Sequence, residues 1–137
     1  MTVTVDSNVI LDVVQPASVL TARSVLALTQ LRLSGKLLVG EVVLAETATY
    51  FSQPELHLTA LSALSVQLVN CSPKGLYEAG KRFRAYRRAG GPRERILPDF
   101  PVGTQAIERA DALLTRDRGF YRKYCSELRV IDPNDFV

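Results

Sequence analysis

Short apolar, β-branched runs alternate with helix-length segments from one end of the chain to the other, and this alternation limits the fold more than any other feature. Residues 2–5 read as a strand, and residues 8–14 read as a short helix with Ser7 as N-cap and Pro16 as stop. Residues 17–34 form a long amphipathic helix ended by Gly35, followed by a buried strand at 37–39. Helices are predicted over 41–51 and 54–65, a strand over 66–69, and a helix over 74–89 that breaks at Gly90, Gly91 and Pro92. A helix over 99–109, a strand over 112–115, a short helix over 119–124 and a strand over 128–131 complete the chain. Strands separated by helices make parallel βαβ units, so the expectation is an α/β three-layer sandwich: a short, mostly parallel sheet of about five strands with helices on both faces. A length of 137 residues fits one domain, 1–137. Ligands of such sheets sit beyond the C-terminal ends of the strands, so functional residues should follow strands.

Composition removes several classes of function. Two cysteines, Cys71 and Cys125, with no CxxC pair exclude a disulfide scaffold and a thiolate zinc site, and both read as core or loop thiols. A single histidine, His57, excludes a His-rich metal site and reads as a helix-surface residue. The apolar stretches are interrupted by Arg23, Arg32, Lys36 and Glu41, so none spans a membrane, and the first residues lack the pattern of an export signal. The expected compartment is the reducing cytoplasm.

Two acids follow strands directly: Asp6 ends the first, and Asp117 comes after residues 112–115. Glu46 shares a helical face with Val42, Thr49 and Tyr50, which aims its carboxylate along an apolar stripe and demands a cation or strong partner for it. Asp99 opens a helix. Taken singly, Asp6 and Asp99 read first as turn or cap residues and Asp117 as a loop acid. Asp12, Glu41, Glu78, Glu108, Asp111, Glu127, Asp132 and Asp135 read as surface acids. Together, Asp6, Glu46, Asp99 and Asp117 describe an all-oxygen pocket of the kind that suits Mg²⁺ or Mn²⁺. Such ions activate water and stabilise the leaving oxygen of a phosphodiester.

The basic residues are unevenly spread. Of 17 Lys and Arg, seven lie between residues 81 and 95: Lys81, Arg82, Arg84, Arg87, Arg88, Arg93 and Arg95. Arginine grips phosphate in two-pronged fashion, which points toward nucleic acid. A solvated helix face explains the charge equally well. Phe83, Tyr86 and Tyr77 lie among these cations, where they either stack on bases or pack the helix.

Four segments in order, residues 5–12, 42–47, 97–106 and 113–121, resemble the PIN-domain ribonucleases, specifically VapC-type toxins of toxin–antitoxin pairs. The resemblance spans nearly the whole chain and implies a PIN-like fold. It places Asp6, Glu46, Asp99 and Asp117 on the family's four acidic metal positions, Asn8 on its site-ordering asparagine, and Ser7 and Thr115 on its small hydroxyl positions. It implies a Mg²⁺- or Mn²⁺-dependent endoribonuclease, often a homodimer, blocked by a small antitoxin. In that scheme Asp6, Glu46 and Asp99 hold or orient the principal ion, and Asp117 completes the cage or binds a second. Ser7, Asn8 and Thr115 tune those ligands, while Arg82, Arg84, Arg87, Arg88, Arg93, Arg95, Arg116 and Arg118 are candidates to hold RNA, the last two being equally readable as ion-pair partners. An apolar helical face in the N-terminal half would serve a second copy or the antitoxin. Two departures stand out: Gly119 replaces a further acid found in many relatives, and Arg109 to Asp111 replaces a glycine-containing loop.

Other readings fit less well. A receiver domain needs an acidic pair after the first strand, and a haloacid-dehalogenase-type phosphatase needs Asp-x-Asp, whereas Asp6 is followed by Ser7 and Asn8. The remaining alternative is a catalytically weak or inactive PIN-like module that binds RNA or a partner without cutting.

Overall fold

The computed structural model describes residues 1–15, 19–90 and 98–136. Five strands, β1 (Thr2–Val5), β2 (Lys36–Val39), β3 (Val66–Leu68), β4 (Ala112–Leu114) and β5 (Val130–Ile131), form one all-parallel sheet in the order β3-β2-β1-β4-β5. The helices among the described residues are α1 (Ser7–Val14), α2 (Leu20–Ser34), α3 (Glu41–Ala48), α4 (Pro54–Ala63), α5 (Pro73–Arg88), α6 (Asp99–Arg109) and α7 (Arg118–Tyr124), with a 3₁₀ turn at Pro133–Asp135. Successive side chains of a strand point to opposite faces, and Val3, Thr4 and Val5 are all fully buried, so helices cover both sides of the sheet.

This order sets the position of any site. From β1 the chain builds outward through β2 and β3, then returns to add β4 and β5 on the other side of β1. The order therefore reverses between β1 and β4, where Val5 pairs with Leu114 in parallel register. The connections diverge there and leave a crevice at the C-terminal strand ends, the place where open α/β sheets bind ligands.

A second feature is the aromatic layer under α5, α6 and α7. Phe100, fully buried at the start of α6, lies 5.8 Å from Phe83, 5.7 Å from Tyr86, 5.2 Å from Phe120 and 6.0 Å from Tyr124, centroid to centroid. These are edge-to-face spacings, favoured by the ring quadrupoles. The close approach of α6 to the end of α7 depends on Gly103, where a Cβ would stand 2.6 Å from Cys125 Sγ.

Several expectations change. The helix expected over 41–51 ends at Ala48, and its buried residues are Val43 and Thr47, so Glu46 is exposed and not aimed along an apolar stripe. Ser7 is not the cap of α1; Asp6 is, accepting the Ser7 N–H at 2.8 Å. The last strand contains only residues 130 and 131, with Leu128 buried ahead of it. His57 is not on the surface but buried, with Nε2 2.9 Å from Thr47 Oγ1, joining α4 to α3. Asp12 and Asp132 are not surface acids. Asp12 accepts from Ser24 Oγ at 2.7 Å and from Arg116 Nε and Nη2 at 3.0 and 2.9 Å. Asp132 accepts the Asn134 N–H and pairs with Arg118 at 3.0 Å. Cys71 and Cys125 are both free and buried, as expected.

Candidate active site at the C-terminal strand ends

The crevice between β1 and β4 is organised around Asp6. Its position one residue past β1 puts its carboxylate in the switch-point crevice, where it is almost wholly buried. Oδ2 accepts from Thr115 Oγ1 at 2.8 Å and from Tyr121 Oη at 3.3 Å, while Oδ1 takes the Ser7 N–H. Thr115, one residue past β4, is itself held by neighbours: its Oγ1 accepts from Asn8 Nδ2 at 3.2 Å and from the Asp117 N–H at 3.0 Å. Asn8 Oδ1 accepts the Arg116 N–H at 3.3 Å. The side chains of Asn8 and Thr115 thus tie the first turn of α1 to the loop that carries Asp117. The bidentate Arg116–Asp12 pair secures the same loop from the other side.

Asp6 senses Asp117, Glu46 senses Asp6, and Asp99 joins the cluster through Tyr121. Burial raises the Asp6 carboxyl above its ordinary value, and the charge of Asp117 adds to the rise, against the pull of its three donors. Glu46 is also raised, first by loss of solvent around its carboxylate and then by Asp6, while Ser7 pulls it back. The residue as a whole is exposed, so this desolvation belongs to the carboxylate end that approaches Asp6 and Ser7. Burial first of all raises the Tyr121 hydroxyl, and Asp99, half-buried as the first residue of α6, joins Asp6 and Asp117 in raising it further. Tyr121 therefore stays protonated and donates into the cluster.

Tyr121 is the site residue that sequence reasoning missed. The available signal was a second aromatic directly after Phe120 on a short helix following Asp117. Gly119, in place of a further acid, faces open space: a Cβ there would meet nothing within 4 Å.

The donor set is wholly carboxylate and hydroxyl oxygen, which fits a hard divalent cation in chemistry. The raising of Glu46 by Asp6, and of Asp6 by Asp117, is the charge crowding that such a cation relieves. Among the described residues, no three Asp, Glu, His or Cys side chains stand together as a ready-made ligand group.

The arginines divide into two sets. Arg82 does not reach outward as expected: it forms a bidentate pair with Glu127 at 2.9 and 2.7 Å and donates to the Tyr124 carbonyl. Arg116 pairs with Asp12, and Arg118 with Asp132 and, at 4.0 Å, Asp135, so both act as ion-pair partners in the fold. Arg84, Arg87 and Arg88 are exposed. Arg93 and Arg95 lie outside the described residues.

No family model and no curated relative matches the sequence. Solved structures do match the fold. The VapBC2 complex of Rickettsia felis, bound to a promoter DNA fragment, contains a chain with a TM-score of 0.72 at 17% identity, covering 96% of this chain and 98% of that one. VapBC-1 of nontypeable Haemophilus influenzae gives 0.69 at 18% identity, with coverage of 98% and 99%. DNA-bound VapBC of Salmonella typhimurium gives 0.71 at 14% identity, with coverage of 97% and 98%. The chain has the fold of a VapC-like PIN domain, the architecture that its four motifs imply.

Proposed function

We propose that this protein is a divalent-metal-dependent ribonuclease that hydrolyses RNA phosphodiester bonds as the toxin of a toxin–antitoxin pair. One observation carries the reading: a buried carboxylate, Asp6, and Asp117 follow the two adjacent strands at the switch point, Glu46 senses the charge of Asp6, and the charge of Asp99 reaches Tyr121, which donates to Asp6. In this reading Asp6, Glu46, Asp99 and Asp117 hold Mg²⁺ or Mn²⁺. The ion supplies an activated water and stabilisation of the departing oxygen. The protein's own groups supply order. Thr115 and Tyr121 fix the orientation of Asp6 by donating to it, and Asn8 fixes Thr115 in turn. Antitoxin binding and homodimerisation belong to the same proposal. The exposed apolar residues Val25 and Leu33 of α2 and Leu56 and Leu58 of α4 supply surface for a partner. No helix among the described residues is long and apolar enough to cross a membrane.

The test is cleavage of a mixed cellular RNA pool with Mg²⁺ or Mn²⁺, comparing wild type with Asp99→Asn and with a chelated control. Cleavage by wild type alone supports the reading. A folded wild type that binds RNA and leaves it intact, with or without metal, overturns it in favour of a non-cutting module.

The raised carboxyls also set a pH dependence. An acid whose pKa rises on folding binds more protons folded than unfolded, so its contribution to stability is present at low pH and is lost as pH rises. For Asp6 and Glu46 the loss begins near their ordinary values of 3.8 and 4.5 and extends upward. Mn²⁺ should therefore raise the thermal unfolding midpoint at neutral pH, with an increment that shrinks as pH falls toward those values. An increment independent of pH would place the ion elsewhere.

A further inference from the structure

Tyr77, Lys81, Arg84 and Arg88 recur at helical spacings of four, three and four residues along α5, forming one stripe about 16 Å long at 1.5 Å per residue. All four are exposed, and Tyr77 is 68% exposed, unusual for a large ring. Lys81 Nζ lies 5.9 Å from the Tyr77 ring centre and only loosely against Glu78, at 3.7 Å. Among the described residues, no carboxylate stands within ion-pair distance of Arg84, Arg87 or Arg88, although Arg82 on the same helix is held in a bidentate pair by Glu127. A neighbouring groove is lined by Phe83, Arg84, Arg87 and Arg88, with Arg87 5.8 Å from the centre of the Phe83 ring. The negative end of the helix dipole accounts for Arg87 and Arg88 in the last turn, but not for Tyr77, Lys81 or Arg84.

We propose that this outer face of α5 is a docking track for single-stranded RNA, with Lys81, Arg84 and Arg88 meeting successive phosphates and Tyr77 stacking on an unpaired base. The proposal rests on the ribonuclease reading for the identity of the polymer. Cations interleaved with an open aromatic face are the elements of sequence-tolerant single-strand binding. A protein partner would call for apolar anchors in a closed pocket, whereas the groove along the stripe is open and holds, beside Tyr77, only Ala85 and Ala89 as apolar lining, with Leu76 exposed one residue before Tyr77. The helix that carries the track packs, on its inner side, against the elements that carry the acids. Tyr86, on the inner side of the same helix, lies 5.7 Å from Phe100, which follows Asp99, and 6.5 Å from Phe120, three residues after Asp117. One layer of rings thus separates the basic face from the residues that bear the candidate site.

The experiment is fluorescence anisotropy with a 5′-fluorescein-labelled oligouridylate in EDTA, which separates binding from cleavage. The proteins are wild type, Arg84→Glu with Arg88→Glu, Arg84→Lys with Arg88→Lys, and Tyr77→Ala. Charge reversal should weaken binding at least tenfold, and the plot of log affinity against log salt should flatten by about 1.4, from about 0.7 per lost phosphate contact on a single strand. The lysine pair should keep most of the affinity. Tyr77→Ala should lose at least about fivefold on the single strand, as expected for one stacked base, and leave binding of an RNA duplex unchanged. Equal affinity across the variants overturns the track, as does failure of wild type to bind. Displacement of the labelled RNA by polyglutamate as readily as by unlabelled oligouridylate also overturns it, in favour of an acidic protein partner. Cleavage decides the underlying reading separately. A wild type that cuts while the variants bind normally keeps the nuclease and loses the track, and one that binds through α5 but never cuts keeps the track and loses the nuclease.

Discussion

Asp6→Asn is expected to reduce metal-dependent RNA cleavage by well over 100-fold while leaving the protein as stable as wild type, or more stable, at neutral pH. The lower bound comes from outer-shell groups, whose loss around a metal typically costs 10- to 100-fold, and Asp6 is itself a proposed ligand. The stability half follows from burial. The folded state raises the Asp6 carboxyl above 3.8, so its charged form is disfavoured at neutral pH relative to the unfolded chain. Asparagine removes that charge. Its amide oxygen still accepts the Ser7 N–H, and its amide nitrogen meets the Thr115 and Tyr121 hydroxyls, of which the tyrosine can turn to accept. Urea denaturation of metal-free protein across the acid-to-neutral range, alongside single-turnover cleavage, reads both halves. The variant's advantage should vanish below pH 3.8, where the Asp6 carboxyl is neutral in both the folded and the unfolded wild type. A variant that cuts normally removes Asp6 from the site. One that is inactive because it has unfolded would mean the carboxylate is structural.

The sequence revealed what depends on local pattern and hid what depends on distant partners. Asp6 and Asp117 were legible because a parallel sheet makes strand ends special, and strands are read from period-two runs. Glu46 was found for its acid, but its environment was misread. In an eight-residue helix that is apolar at most positions, the inward phase is undetermined, and Val43 with Thr47, not Val42 with Glu46, turned out to face the core. Asp12 reads as a surface acid because its partner, Arg116, is 104 residues away. Arg82 looks like its neighbours in a basic run, and only Glu127, 45 residues on, sets it apart. Tyr121 carries no acid and no motif spacing of its own. Only the packing of α7 against the crevice shows that its hydroxyl reaches Asp6.

Phe100→Ala should be the most destabilising single truncation around the site, costing about 3–5 kcal/mol. The ring is fully buried and has four aromatic neighbours, from α5, from α6's partner helix α7 and from its end, all within 6.0 Å. Truncation removes the ring's buried area and its edge-to-face contacts, and it leaves a cavity that large rings on two separate helices cannot easily close. Against a total stability of about 5–15 kcal/mol for a domain, this is a large fraction, and the thermal midpoint should fall by more than about 10 °C. The consequence for function follows from position. Phe100 adjoins Asp99, Phe120 lies three residues past Asp117, and Phe83 and Tyr86 anchor the basic helix. One cavity therefore loosens two of the four acids and the RNA track together. Phe100→Leu fills part of the space and should cost less than half as much. If both variants fall by less than about 1 kcal/mol, the rings are not the joint between α5 and the acidic crevice. If Phe100→Ala is strongly destabilised yet, well below its lowered midpoint, binds RNA and cuts it as wild type does, the joint holds the fold without positioning the site.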